Sequence, residues 1–131
     1  MMSSNNTDCL YEYAVIRYLP RVERGEFVNV GLIMMCKRRK WLRVEVNPPM
    51  ARIALMNAPH DEPTLRRQLS QFEKIASGNI GSGEMGGMPV EERYRWLTAV
   101  RSTCIQTSPS HPGITADLDM TFSRLMEELV N

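Results

Sequence analysis

Two apolar runs joined by a short charged connection constrain the fold of this chain more than any other feature. The first run, Tyr11 to Tyr18, has apolar residues on both faces, and the second, Phe27 to Cys36, is almost continuously apolar. Strands that are apolar on both faces are typical of the interior of a sheet, where both faces are covered. Because only Leu19 and the charged connection from Pro20 to Glu26 separate the two runs, the pair is predicted to be a hairpin of buried strands.

The next segments predict one more long strand and then a change to a helical period. Trp41 to Val46 alternates between apolar and polar residues, and Asn47-Pro48-Pro49 ends the alternation. Helical apolar stripes follow, first over Met50 to Asn57, then after Asp61 and Pro89, and finally after a cap at Thr115 or Asp117, while Cys104 to Thr107 suggests a short fourth strand. This order predicts an α+β domain, in which about four helices pack on an antiparallel sheet of three to four strands.

The domain organisation follows from length and from one glycine-rich segment. A chain of 131 residues fits a single domain, which we expect at residues 11–131 after a disordered tail at residues 1–10. Ser77 to Gly87 contains five of the eight glycines and is predicted to be a mobile loop. Gly81 to Gly86 formally match G-x-G-x-x-G, but a helix precedes them and no βαβ unit follows, so they are interpreted as a linker.

Composition excludes several classes of function. The net charge of +1 provides no general attraction for nucleic acid, although residues 1–43 hold eight Lys/Arg against four Asp/Glu. Cys9, Cys36 and Cys104 form no C-x-x-C pair, and the two histidines lie far apart, so we predict free thiols, no metal and no cofactor. Neither a signal peptide nor a run of roughly twenty apolar residues is present, which predicts a cytoplasmic protein.

A basic turn is the first candidate site. Lys37, Arg38, Arg39 and Lys40 precede Trp41 at the predicted hairpin tip. Basic side chains beside an aromatic ring are able to grip a phosphate backbone and stack on a base, which makes these five residues nucleic-acid candidates. The simpler interpretation is a solvated turn that keeps an apolar hairpin soluble.

Polar residues around the first hairpin form the second candidate site. They are Arg17, Arg21, Arg24, Glu26 and Asn29. Arg17 and Asn29 interrupt apolar strands and therefore need partners, because unpaired polar groups are costly to bury. A structural network, such as Arg17 or Arg24 with Glu26, is the favoured interpretation, and an anion-binding surface is the alternative.

A later block supplies the third set of candidates: Arg95, Arg101, Ser102 and His111. His111 titrates near neutrality, so it is the one candidate for a catalytic acid or base, although a histidine in a Pro-Gly loop more often orders that loop. If the two blocks face each other, their arginines, Asn29 and His111 converge on one anion site. A phosphate-handling enzyme using Arg24, Arg101 and His111 is the corresponding hypothesis.

These two blocks also carry a family resemblance. Together they resemble the bacterial family listed as domain of unknown function 3037. The first block consists of Tyr13 to Tyr18 with Arg24 to Gly31. The second consists of Glu92 to Ala99 with Arg101 to Thr103, Gln106, His111, Gly113 and Thr115. Family members usually have proline at the position of Val100.

The resemblance implies a small bacterial domain that is sometimes encoded beside a kinase of the toxin–antitoxin type, and it supplies no catalytic residues. The leading hypothesis is therefore a non-enzymatic accessory protein that binds a protein partner, such as that kinase, through its arginine-bearing surface or its exposed hairpin. A partner-binding surface predicts exposed apolar side chains with arginine and aromatic residues near their centre.

Overall fold

The first described strand pairs with three of the other four strands that the structure describes. A computed structural model describes residues 8–78, 87–99 and 103–131. The strands are β1 (Cys9–Tyr18), β2 (Val28–Cys36), β3 (Trp41–Val46), β4 (Ile105–Thr107) and β5 (His111–Thr115). The helices are α1 (Met50–Ala54), α2 (Glu62–Ser77), α3 (Val90–Leu97) and α4 (Leu118–Leu129), and a 3-10 turn covers Val22–Arg24. The antiparallel sheet with helices confirms the predicted α+β class.

The predicted hairpin of buried strands forms the centre of the sheet. β2 pairs β1 on one side and β3 on the other, and the β1–β2 register shifts between Ile16 and Arg17. Gly31 lies beside this irregularity, where an added Cβ would come within 2.7 Å of the carbonyl oxygen of Glu45 and 3.2 Å of Ile16 Cδ1. Only glycine fits there without a shift of the neighbouring backbone.

The other edge of β1 pairs with two short strands in succession. β4 places Thr107 opposite Ile16, and β5 places His111 opposite Tyr13. Three residues, 108–110, therefore face the two β1 residues between Tyr13 and Ile16, as in a β-bulge.

The fifth strand, β5, occupies a segment that the sequence predicted to be a Pro-Gly loop around His111. That prediction was wrong because β5 lies at the sheet edge, where a strand tolerates Pro112. The ring of Tyr11 occupies the space over Gly113 that any larger side chain would require.

Helices cover both faces of the sheet, which is why β1 and β2 are apolar on both sides. On the first face, Ala14, Ile16 and Tyr18 join a core with α1, α2 and α3. On the second face, Tyr11 and Val15 join a smaller core with α4. The predicted inward residues of α4 are confirmed: Leu118, Phe122, Leu125 and Met126 are buried, and Leu129 packs against them.

Two aspartates cap helices: Asp61 at the predicted helix start, and Asp117 as one of the two predicted caps of the last helix. The side chain of Asp61 accepts a hydrogen bond from the N–H of Thr64 at 2.9 Å, and that of Asp117 accepts one from the N–H of Met120 at 3.0 Å. Both bonds satisfy N–H groups that lack a partner within the helix.

Some predicted boundaries shift. β1 begins at Cys9, so residues 9 and 10, assigned to the tail, instead pair with Thr115 and Ile114. Residues 1–7 and 79–86 lie outside the described residues. They include most of the predicted tail, most of the glycine-rich loop and the whole G-x-G-x-x-G match. None of the three cysteines is in a disulfide. Over the part of the chain that the structure describes, no helix has the length and apolarity needed to cross a bilayer.

Candidate functional site

A hydrogen-bonded network centred on Glu12 joins the later sequence block to strand β1, which carries part of the first block. Both terminal nitrogens of Arg95 donate to the Glu12 carboxylate, at 2.7 and 2.6 Å. The Ser110 hydroxyl donates to the same carboxylate at 2.9 Å and lies 2.6 Å from the Tyr94 hydroxyl. The network joins α3 to β1 and to the β4–β5 connection, so Arg95 is engaged in a structural role.

The electrostatics of this network oppose acid–base chemistry near neutral pH. The hydrogen bond from Arg95 is the main cause that lowers the pKa of Glu12 below its ordinary value. Burial raises the pKa of Tyr94 to about 12. Glu12 therefore stays ionised and Tyr94 stays protonated at physiological pH, which suits a fixed scaffold.

At the first hairpin, one predicted ion pair is present, whereas the partner that Asn29 was expected to need lies outside the hairpin. Arg24 Nε donates to Glu26 at 2.9 Å, and both side chains are well exposed. Asn29 Nδ2 instead donates to the carbonyl oxygen of Leu129 at the end of α4, at 2.9 Å. Asn29 thus satisfies an orphan helix carbonyl, a partner that only the tertiary fold identifies.

Arg17 lies opposite Asn29 across the β1–β2 ladder, on the second face of the sheet. Its guanidinium carbon is 4.2 Å from the centroid of the Phe27 ring, and Phe27 is 47% exposed. Within the described residues, Arg17 Nε and Asn29 Oδ1 are buried without hydrogen-bond partners. Arg17 is therefore held by ring stacking and not by a carboxylate.

A depression lies at the same end of the sheet, on the side of the first face. It has a volume of about 470 Å³, and it is lined by Pro20, Arg21, Arg24, Glu26, Leu55, Met56 and Asn57. Leu55, just after α1, is 87% exposed. We call Arg17, Arg21, Arg24, Phe27 and Leu55 the arginine end.

The sequence identified two of these five residues as site candidates, and it named Arg21 as part of the same cluster. It did not single out Phe27 and Leu55, because an apolar residue next to an element boundary gives no local signal of exposure. The helical stripe that predicted a helix to Asn57 placed Leu55 inside that helix, whereas α1 ends at Ala54.

His111 and Arg24 do not converge. His111 is exposed on β5, with its ring centroid 5.2 Å from that of Tyr13. Tyr13 precedes the end of β1 by five residues, which is roughly 17 Å at the usual strand rise, and Arg24 lies beyond that end. Arg101 and Ser102 lie outside the described residues.

The basic turn is exposed, but its aromatic neighbour belongs to the core. Within the described residues, no carboxylate pairs with Lys37, Arg38, Arg39 or Lys40. The Trp41 ring packs edge-on against Phe122, with centroids 6.3 Å apart. Trp41 is therefore poorly placed to stack on a base.

The thiol of Cys104 and the hydroxyl of Tyr18 each contact a polar side chain. Cys104 Sγ donates to Gln68 at 3.0 Å, and burial raises the pKa of its thiol. The Tyr18 hydroxyl lies 2.8 Å from His60 Nδ1. Among the described residues, no cluster of three or more His, Cys, Asp or Glu side chains could hold a metal ion.

Comparison with known proteins gives one match. No curated protein and no solved structure matches this chain. One family model matches residues 13–130, which is nearly the whole chain and includes both sequence blocks. The chain therefore belongs to the family described as "Protein of unknown function (DUF3037)".

Proposed function

We propose that this protein is a non-enzymatic bacterial accessory protein that binds a protein partner in the cytoplasm through the arginine end. The observation that supports this proposal most directly is the Arg17 guanidinium stacked on the half-exposed Phe27 ring. Arginine and aromatic residues are enriched among the side chains that contribute most to protein interfaces.

Exposed apolar area beside these arginines favours a protein as the ligand. Leu55 is 87% exposed next to the depression that Arg21 and Arg24 line, and Val22 in the 3-10 turn is also exposed. Burying one such aliphatic side chain contributes about 1.5–3 kcal/mol, which a partner protein could recover on binding. Stacking on Phe27 also restricts Arg17 before binding, so less side-chain entropy is lost.

The charges at this end favour an acidic partner surface. Arg17 and Arg21 have no carboxylate partner among the described residues, whereas Arg24 is paired with Glu26. Opposite charge on the partner would accelerate association and fix its orientation more than it would raise affinity. The family resemblance makes a kinase encoded beside the gene the first partner to test.

The rival hypothesis, a phosphate-handling enzyme, gains less support. Its acid–base candidate, His111, lies on an edge strand far from Arg24, with an aromatic ring as its neighbour. The arginine of the Glu12 network, Arg95, is already paired with Glu12.

Co-purification from the native host tests the proposal. Tagged wild-type protein is isolated at low salt beside a Phe27→Ser/Leu55→Ser variant, with Met120→Ser as control because Met120 is another exposed apolar residue, on α4. We expect one stoichiometric protein with the wild type and the control, and its loss from the double variant. Equal recovery with all three proteins, or recovery of nucleic acid alone, would contradict the proposal.

A further inference from the structure

A second surface lies at the opposite end of the sheet, around the basic turn. Three adjoining cavities of about 370, 540 and 550 Å³ are all lined by Lys37, and the first two also share Leu10. Because they share these side chains, they form one groove, which we call the Lys37 groove. It runs from Ile114 on β5 past Lys37 to Arg93 on α3.

The floor of the groove at one end is aliphatic. Leu10 and Ile114 are direct partners across the β1–β5 ladder, and they are 66% and 68% exposed. Neighbouring strand residues on the same face form one continuous surface. Two adjacent exposed aliphatic side chains in a concavity indicate a site for an apolar anchor.

The charges along the groove are mostly positive. Five basic and three acidic side chains line it. The basic ones are Lys37, Arg38, Lys40, Arg93 and Arg95, and the acidic ones are Asp8, Glu12 and Glu91. Arg95 and Glu12 neutralise each other in their ion pair. The remaining surplus of positive charge would attract an acidic ligand.

Arg93 carries one of these basic side chains at the far end of the groove. Its Nη1 donates to the carbonyl oxygen of Ala76 at 2.8 Å, which holds the guanidinium in place.

These features favour a protein segment over nucleic acid or a membrane. Nucleic-acid contact would use base stacking, but Trp41 is packed against Phe122. A bilayer surface is matched by protruding apolar side chains, whereas Leu10 and Ile114 line a depression. We infer that the Lys37 groove binds an acidic peptide segment of a partner protein, with a leucine or isoleucine of that segment against Leu10 and Ile114.

This inference is independent of the arginine end, and a synthetic probe tests it. The probe is a fluorescein-labelled peptide in which pairs of glutamates alternate with pairs of leucines, and binding is followed by fluorescence anisotropy. Two control peptides replace either every leucine by serine or every glutamate by glutamine. We expect the parent peptide to bind about tenfold more tightly than either control, because binding uses both charge and apolar contact.

Variants of the full chain assign that binding to the groove. We expect binding to weaken about five- to tenfold in each of two double variants, Leu10→Ser/Ile114→Ser and Lys37→Ser/Arg38→Ser. The control is Arg21→Ser/Arg24→Ser, which removes the same charge at the other end of the sheet and should not weaken binding. All substituted side chains are exposed, so thermal unfolding should show that each variant remains folded.

Two outcomes would overturn the inference. Binding that is unaffected by Leu10→Ser/Ile114→Ser would show attraction by charge alone. Tighter and groove-dependent binding of a 20-nucleotide single-stranded DNA, or of phosphatidylserine vesicles, would assign the groove to those ligands.

Discussion

The main-chain N–H of Val15 donates a hydrogen bond to the side-chain oxygen of Ser108, 2.9 Å away and 93 positions later in the chain. The N–H of Ser108 returns a bond to the carbonyl oxygen of Val15 at 2.8 Å, and the Ser108 hydroxyl donates to the carbonyl oxygen of Pro109. A side chain thus replaces a backbone carbonyl at the point where β4 gives way to β5, so the ladder of β1 continues across the irregularity.

Ser108→Ala should destabilise the protein. It leaves the buried N–H of Val15 without an acceptor, which is expected to lower the free energy of unfolding by about 1–3 kcal/mol. Urea unfolding followed by circular dichroism measures the change. Ser123→Ala on the exposed side of α4 is the control, and it should change the free energy by less than about 0.5 kcal/mol. Equal effects of the two substitutions would show that the Ser108 bond is unimportant.

Glu12→Gln should remove a pH-dependent part of the stability. Because the hydrogen bond from Arg95 lowers the pKa of folded Glu12 below 4.5, the unfolded chain binds a proton first as pH falls. The stabilisation is therefore complete above pH 4.5 and is lost as pH falls through the lower folded pKa.

The effect should be modest because Arg95 is 58% exposed and solvent screens the pair. We expect the free energy of unfolding of the wild type to exceed that of Glu12→Gln by about 1 kcal/mol at neutral pH. The difference should shrink as the pH falls. Glu128→Gln, which breaks the exposed pair with Arg124, should show a smaller difference at neutral pH. A gap between wild type and Glu12→Gln that stays constant from neutral pH to about pH 3 would refute the assigned role of Glu12.

Gly31→Ala should be poorly tolerated. The new Cβ would meet the carbonyl oxygen of Glu45 at 2.7 Å, and both strands would have to move. We expect a loss of about 2 kcal/mol or more, measured as a lower urea midpoint. Gly87→Ala is the matched control because nothing lies within 4 Å of its added Cβ. A neutral Gly31→Ala would show that the β2–β3 spacing adapts easily.

Lys40→Gly should stabilise the hairpin. Lys40 has a φ of 52°, a left-handed backbone conformation that is unfavourable for most residues other than glycine. Relief of this strain should raise the unfolding free energy by up to about 1 kcal/mol. Arg39→Gly removes the same charge without relieving positive φ, so it should not stabilise. If both variants behave alike, charge repulsion in the turn is the dominant effect.

The sequence predicted the fold best where one period governs a whole element. β1, β2 and β3 and the inward residues of α4 follow from their apolar patterns. β5 did not, because His111-Pro112-Gly113 has the composition of a turn, and only the edge position and the Tyr11 ring make it a strand.

The candidate site was predictable only where partners are close in sequence. Arg24 and Glu26 are two residues apart, whereas Arg95 and Glu12 are separated by 83 positions. Their pairing depends on where α3 packs, which no local pattern specifies. The exposure of Phe27 and Leu55 likewise depends on which surfaces the helices leave uncovered.

The bonds between β1 and Ser108 can form only after Ser108 has been synthesised, 93 positions after Val15. Among the described residues, one edge of β1 pairs with β4 and β5, and its second face packs against α4. Contacts between such distant positions slow folding because a long loop must close first. During synthesis this edge of β1 therefore stays open to other chains until β4 and β5 have been made.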